Sequence, residues 1–397
     1  MSETADVIIV GGGLEGTAAA WRLAQRGVTD VIVAERDTVG AGGTGKSSGV
    51  VRCHYGVSSL ARMATTALET FENALDIFGT DIGFRQTGYI VGVGEVNAAS
   101  LRASLASQRG VGVDTSEIDR SEVATLWPGM YLDDFAAFCW EPRGGYGDAY
   151  ATAQAFAAAA RRAGVTVRQG AKVTEILASP HDTVTGVRLA DGSTVSAPNV
   201  VVAAGPWSVD LVKPLGIDLP VRVHLEQIVL VSPGQDVGPV PVLSDLVSLQ
   251  YVRAEGSGDI LFGNSDLSEF READPDHYPN RADNDFLEAA ATKLAHRFPA
   301  LSEGAGISSS YAGCFDVTPD WNPVISRGPL DGLVIASGFS GHGFKIAPSV
   351  GTLITDLILD GVSSDPDIRQ ADFRLSRFAE RDPTLSPYAY VGAAEMR

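Results

Sequence analysis

A chain of 397 residues is longer than one hydrophobic core usually organises, and with 45% hydrophobic and 20% charged residues it has the apolar material for two domains and no disordered character. Its 49 acidic and 30 basic side chains leave a formal net charge of −19, which repels nucleic acid and anionic membrane surfaces, so neither is an expected partner. Cys53, Cys139 and Cys314 match neither a disulfide framework nor a zinc site, no apolar run reaches the roughly 20 residues of a bilayer span, and the acidic N-terminus, with no basic region or cleavage pattern, is not expected to be a signal peptide. These features predict a soluble, cytoplasmic protein without a metal.

From the N-terminus, the β-branched run Val7–Val10 ends in the turn GGGLEG, continues into the helix-like AAAWRLAQRG and reaches a second apolar run, VIVAE. Continuous apolar strands flanking a helix predict a βαβ unit buried on both faces, its helix stopping near Gly27. A helix pattern returns over residues 149–164, followed by VTVRQGAKVTEIL and by VTGVRLADGSTVSA, whose alternation predicts an antiparallel hairpin turning at Asp191-Gly192. VVVAAGPW comes next, and near the C-terminus GLVIASGFSGHGFKIAPSVGTLITDLILDG reads as strand, glycine-rich turn and a long helix over residues 345–360. The intervening segments hold short extended runs such as QIVLVS, LQYVRA and DILFG, and a helix over Asn284–Arg297. The expected fold class is α/β: a discontinuous Rossmann-like dinucleotide domain (residues 1–83, 146–219 and 314–397) with an inserted α+β substrate domain on an antiparallel sheet (84–145 and 220–313).

Within GGGLEG, Gly11, Gly13 and Gly16 keep the GxGxxG spacing. The first permits a tight turn, the second lets backbone approach a pyrophosphate, and the third lets helix pack on strand, with Leu14 and Glu15 completing the turn. Glu35, with Arg36 beside it, ends the second strand about 20 residues on, where a carboxylate accepts hydrogen bonds from ribose hydroxyls. The motif alone leaves NAD and FAD open. A second small-residue loop, AGGTGKSSG, suits the longer FAD.

Taken with GKSSGVVRCHYG, VVVAAGPW, YAGCFDVTPDWNPVI and GFSGHGFKIAPSVG, the chain resembles the D-amino-acid oxidase superfamily, specifically its glycine oxidase and sarcosine oxidase group of FAD-dependent amine oxidoreductases. The resemblance covers nearly the whole chain and implies a glutathione-reductase-type FAD domain. It implies that Val173 lies in the adenine-contacting strand, Gly205 near the cofactor, and Ser47 and Ser48 close to the flavin. It places Arg52 against the substrate carboxylate with Lys345 assisting, a chemically apt pair because a planar guanidinium binds a carboxylate in bidentate fashion and an ammonium adds a compact second charge. Gly338, Gly341, His342, Gly343, Phe344 and Lys345 then open a helix whose amides face the flavin and stabilise the charge of reduction.

The sequence also departs from the sarcosine-oxidase pattern. Aligning VTPD puts Gly313 where monomeric sarcosine oxidases carry a flavin-linking cysteine and Cys314 one residue later, which implies non-covalent FAD. Phe315 replaces an active-site tyrosine. The stretch Tyr251 to Asn264 lacks the lysine that promotes reaction with oxygen, with Leu261 or Phe262 nearest its place, so either Lys345 or Arg253 serves that role or the protein is a dehydrogenase. Tyr251 and Arg253 share a strand face by period two and are candidate pocket residues, whereas His54 and His342 read as structural histidines. The expected function is FAD-dependent oxidation of the C–N bond of a small amino acid, foremost a secondary amine of the N-substituted glycine type, with O2 or another acceptor reoxidising the flavin. Glycine, a D-amino acid, and a proline- or opine-type substrate are alternatives, as are an NAD-binding dehydrogenase and a catalytically silent flavin-binding subunit.

Overall fold

The structure, a computed structural model, describes residues 3–266 and 268–391. Val7–Val10 and Val31–Ala34 are buried at every position, as strands must be when a sheet is covered on both faces. Their sheet has six strands in the order Val324–Arg327, Leu333–Ser337, Asn199–Val202, Val7–Val10, Val31–Ala34 and Thr166–Arg168. All neighbours run parallel except the pair Val324–Arg327 and Leu333–Ser337 at one edge. The three separated blocks of similar pattern therefore meet in one sheet. Alternate residues serve different layers: Val7 and Ile9 pack with the helices Leu14–Gln25, Ala149–Arg162 and Gly343–Leu359, while Ile8 and Val10 pack with a four-stranded sheet on the opposite side. That smaller sheet contains the hairpin of Val184–Leu189 and Thr194–Ser196, whose turn uses Gly192 at φ +86°.

The first and last long helices lie directly on each other. A Cβ at Gly351 would stand 2.6 Å from the Ala18 backbone, so glycine here sets the close approach of Gly343–Leu359 to Leu14–Gln25. Trp21 stacks on Phe156 at 5.2 Å between centroids and meets Phe78 edge-on at 5.1 Å, fixing the third helix against the first. The helix bounds differ slightly from the sequence reading: Leu14–Gln25 stops before Gly27 at φ +85°, and the last helix begins two residues earlier than expected, at Gly343.

A second sheet of eight strands runs Gly306–Val317, Arg222–Ser232, Ile260–Asn264, Gln250–Ala254, Val242–Asp245, Tyr89–Val93, Ala137–Glu141 and Ser116–Ile118. Its pairs are antiparallel except Val242–Asp245 with Tyr89–Val93. One face carries Ile90, Phe138, Val229, Leu243, Val252 and Phe262 and is covered by the helix Asn284–Arg297. Strand alternation puts Glu141, Tyr89, Ser244, Tyr251, Gly263, Glu226, His224 and Phe315 on the other face. Gly306–Val317 runs without interruption across the expected boundary between residues 313 and 314. Its last four residues therefore stay in the second sheet.

Candidate active site

The turn after Val7–Val10 is shaped by contacts that exclude side chains. Gly11 takes φ +112°, and a Cβ there would overlap the Ala203 carbonyl oxygen; one at Gly16 would overlap the Gly11 carbonyl oxygen. Gly13 is the N-cap of Leu14–Gln25, and its Cβ would come no nearer than 3.3 Å to the Thr44 hydroxyl, so the second glycine leaves its space for something outside the chain. Glu35 holds the turn from the next strand, its carboxylate accepting the Gly12 amide at 2.7 Å and the Asp37 amide at 2.8 Å. A carboxylate has about four acceptor sites, so Glu35 retains acceptor capacity for ribose hydroxyls. Arg36 lies 3.8 Å over the Trp207 ring and pairs with Asp276 at 2.9 Å, which ties the loop at Asp276 to this edge. Val173 is buried at the start of its strand, and Gly205 at φ +55° accepts a hydrogen bond from the Ser337 hydroxyl at 3.1 Å. A Cβ-free turn, a helix N-terminus and a ribose-type carboxylate fit a dinucleotide.

The C-terminal block closes on the same turn. Gly338 and Gly341 take φ +75° and +82°, where a Cβ would overlap Thr318 and would stand 2.7 Å from the Phe315 ring, respectively. Asp316 anchors this segment by accepting the Gly338 amide at 2.6 Å, and burial raises its carboxyl to about 6. At Gly343, where the last helix begins, a Cβ would overlap a carboxyl oxygen of Glu15, so the two glycine turns face each other. Phe344 packs edge-on against Phe71 at 5.1 Å behind them.

Arg52 and Lys345 lie close enough for the Arg52 charge to act on the Lys345 ammonium. Both are buried, and neither forms an ion pair with a carboxylate among the described residues. Arg52 donates to the His54 carbonyl and lies 4.4 Å over the Tyr55 ring. Lys345 donates to the Gly341 carbonyl at 3.3 Å, and burial followed by the Arg52 charge pushes its ammonium well below the usual range. His342 meets Tyr55 at 3.3 Å from Nδ1. His54 is held to about 3 by burial and the Arg52 charge, with Nε2 on the Tyr390 hydroxyl at 2.8 Å, so it is a neutral support behind Arg52.

The wall opposite is the polar face of the second sheet. Burial raises the Tyr251 hydroxyl above its usual range, while a hydrogen bond with Ser48 opposes that rise. Arg253 does share the Tyr251 face, but its guanidinium is occupied: it donates to the Ser48 carbonyl at 2.7 Å and the Ala254 carbonyl at 2.9 Å, and pairs with Glu255 at 2.9 Å. It braces the loop holding Ser47 and Ser48 instead of presenting a free cation. The Ser47 hydroxyl accepts the Gly49 amide at 3.1 Å within that loop. Of the two residues nearest the missing lysine, Leu261 pairs with Arg253 on this face, whereas Phe262 points to Phe286 in the core. Gly313 and Phe315 share this face; Cys314, opposite Leu225, does not.

Several residues here escaped the sequence reading. Thr44 accepts the Leu14 amide at 3.1 Å, and Asp316 positions Gly338. Glu141, buried and raised to about 7, accepts the Cys53 amide at 2.8 Å and faces Arg52; a buried acid ending the strand run AFCWE was its only signal. Tyr55 and Tyr89 supply the aromatic floor under Arg52. No group of metal-ligating side chains occurs among the described residues, and none of their helices is long and apolar enough to cross a membrane.

Residues 6–357 match the family model of the FAD dependent oxidoreductases. FAD-dependent oxidoreductase domain-containing protein 1 of Xenopus laevis is 30% identical over 436 residues, covering 96% of this chain and 84% of that relative. The sarcosine oxidase subunit beta of Arthrobacter sp is 26% identical over 94% of this chain and 91% of its own length. Among solved structures, the L-proline dehydrogenase from P. horikoshii superposes with a TM-score of 0.88 at 26% identity, covering 96% of this chain and 100% of that one. The chain therefore belongs to the FAD dependent oxidoreductase family, with FAD as its cofactor.

Proposed function

We propose that this oxidoreductase removes two electrons from the C–N bond of a small secondary amino acid of the N-substituted glycine type. The observation that carries the reading is the pair Arg52 and Lys345: two buried basic side chains beside the cofactor turns, neither ion-paired with a carboxylate among the described residues. Keeping two basic groups this close in a buried site is costly even with Glu141 facing Arg52, and a substrate carboxylate would relieve both at once. The names of two similar proteins, a sarcosine oxidase subunit and a proline dehydrogenase, point to secondary amino acids.

In this reading Arg52 takes the carboxylate in bidentate fashion and Lys345 adds the second charge, regaining its proton preference as the anion arrives. Tyr55, Tyr89 and Phe315 exclude water around the reacting carbon, and Tyr251 closes the far side. Holding the substrate in one orientation supplies the main rate gain this chain can offer. The turn residues Gly11, Gly13, Leu14, Glu15, Gly16, Glu35 and Arg36, with Val173, Gly205, Ser47, Ser48 and the block from Gly338 to Lys345, would hold FAD non-covalently, since Cys314 lies off the Gly313 face. Bound FAD supplies the acceptor for a hydride equivalent from the substrate carbon and is reoxidised by O2 or another acceptor. The C–N single bond becomes C=N, and water splits that product into an oxo acid or aldehyde and an amine.

An anaerobic screen of the holoenzyme tests this assignment. N-substituted glycines and proline are expected to bleach the flavin absorbance faster than glycine or D-amino acids. Faster bleaching by primary amino acids would replace the substrate class, and no bleaching by any amino acid would favour a catalytically silent flavin-binding subunit. Admitting oxygen then separates oxidase from dehydrogenase by whether colour returns and H2O2 forms.

A further inference from the structure

An acidic side chain stands where this fold gathers an anion. Glu15 is the second residue of Leu14–Gln25, and a helix start that follows a glycine turn is the natural seat of a diphosphate, although here Thr44 already accepts the Leu14 amide. The side chain is half-buried and reaches toward the last helix. One of its oxygens fills the space a side chain at Gly343 would need, so it is wedged between the starts of two helices, Leu14–Gln25 and Gly343–Leu359.

Among the described residues, no cation pairs with this carboxyl. The strand Gly306–Val317 contributes a second carboxyl, Asp316, already fixed on the Gly338 amide. Lys46, from the loop before Ser47, turns to the Asn280 side chain; Lys345 turns back to the Gly341 carbonyl, and His342 meets Tyr55. Glu35, from the neighbouring strand end, is held by the Gly12 and Asp37 amides. Burial raises the Glu15 carboxyl to about 7, opposed by its own amide and reinforced by the Asp316 charge.

We propose that Glu15 takes up a proton when FAD binds, so that cofactor loading is proton-linked through the GGGLEG turn. The diphosphate brings negative charge to a helix start that already carries an acid, and like charges held close together raise the carboxyl's proton affinity further. The balance is one FAD and one proton bound by the form with ionised Glu15, giving a complex with a neutral carboxyl; no electron moves. At lower pH the proton is already present, and affinity is independent of pH. Above neutrality each pH unit weakens FAD binding by up to about tenfold, the limit for one linked proton.

The test titrates full-length apoprotein with FAD between pH 6 and 9 at constant ionic strength, reading flavin fluorescence. The wild-type Kd is expected to be level near pH 6 and to rise up to about tenfold per unit above neutrality. Glu15→Gln is expected to stay level across that range and to bind FAD more tightly than wild type at pH 8.5. Calorimetry of the wild type at pH 8 in two buffers of different ionisation heat is expected to show uptake of close to one proton per FAD, a result that does not depend on the variant folding. An equally steep pH dependence in Glu15→Gln, or no proton uptake by the wild type, would overturn the proposal.

Discussion

At the residue scale, Arg52 is the hinge of the site, and the groups behind it decide whether it stays charged and in place. His54 accepts Arg52 through its carbonyl and meets Tyr390 through its ring, and its proton affinity is held down to about 3. A lowered histidine has a definite sign. The unfolded chain gains this proton as pH falls through about 6.5 and the folded protein does not, so the stabilisation is whole above 6.5 and is lost toward about 3. The loss approaches ~1.4 kcal/mol per pH unit. Replacing His54 with Gln removes that slope, so the Tm gap between wild type and variant should narrow from pH 7 to pH 5; a constant gap would show that His54 is not the titrating group. Arg52 and Lys345 were legible in the sequence because charged residues inside VVRCHY and GHGFK stand out against apolar and glycine-rich surroundings. Glu141 and Asp316 were not, because their meaning depends on which backbone amides a distant strand brings to them.

At the element scale, glycine spacing fixed more than the cofactor turn. Gly11 and Gly16 were readable from local pattern, since three glycines between a strand and a helix have one familiar use. Gly351 was not readable as a contact point, because a glycine in a helix says nothing about which helix approaches it. Its Cβ would press on the Ala18 backbone at 2.6 Å, so Gly351→Val is expected to push the first and last helices apart. The cost should be about 1–3 kcal/mol in urea unfolding, with FAD affinity falling in parallel. Unchanged stability would mean the helices do not meet at that point. The polar face of the second sheet shows the same limit: period two correctly grouped Tyr251 with Arg253, but only strand register put Glu226 beside Gly313 and His224 beside Phe315.

At the scale of the whole molecule, the chain ends build one site. Residues 7–35 and 333–359 share a sheet and two packed helices, and the segment beyond Leu359 folds back onto the turn at Asp320–Asn322. Arg377, fully buried, pairs with Asp320 at 2.7 Å and with the Asn322 carbonyl at 2.7 Å, and Thr384 donates its amide to the same aspartate at 2.9 Å. Breaking this anchor with Asp320→Ala leaves a buried guanidinium uncompensated and is expected to cost about 3–5 kcal/mol. A loss below ~1 kcal/mol in chemical denaturation would show that the C-terminal segment is not structural. The overall α/β plan was visible in the sequence because its central strands are short apolar runs, most of them leading into or out of a glycine-bearing turn. The continuous strand Gly306–Val317 hid the junction between the sheets, since nothing in YAGCFDV marks where one role stops and the next begins.

The central claim is that Arg52 and Lys345 hold a substrate carboxylate beside the flavin. It is tested most directly by anaerobic titration of the wild-type, Arg52→Ala and Lys345→Met holoenzymes with an N-substituted glycine and with its matching amide, which lacks the carboxylate. The wild type should be bleached by the acid and not by the amide, and Arg52→Ala should weaken binding of the acid by roughly 30-fold or more. Equal bleaching by acid and amide, or an Arg52→Ala enzyme that binds the acid as tightly as wild type, would contradict it.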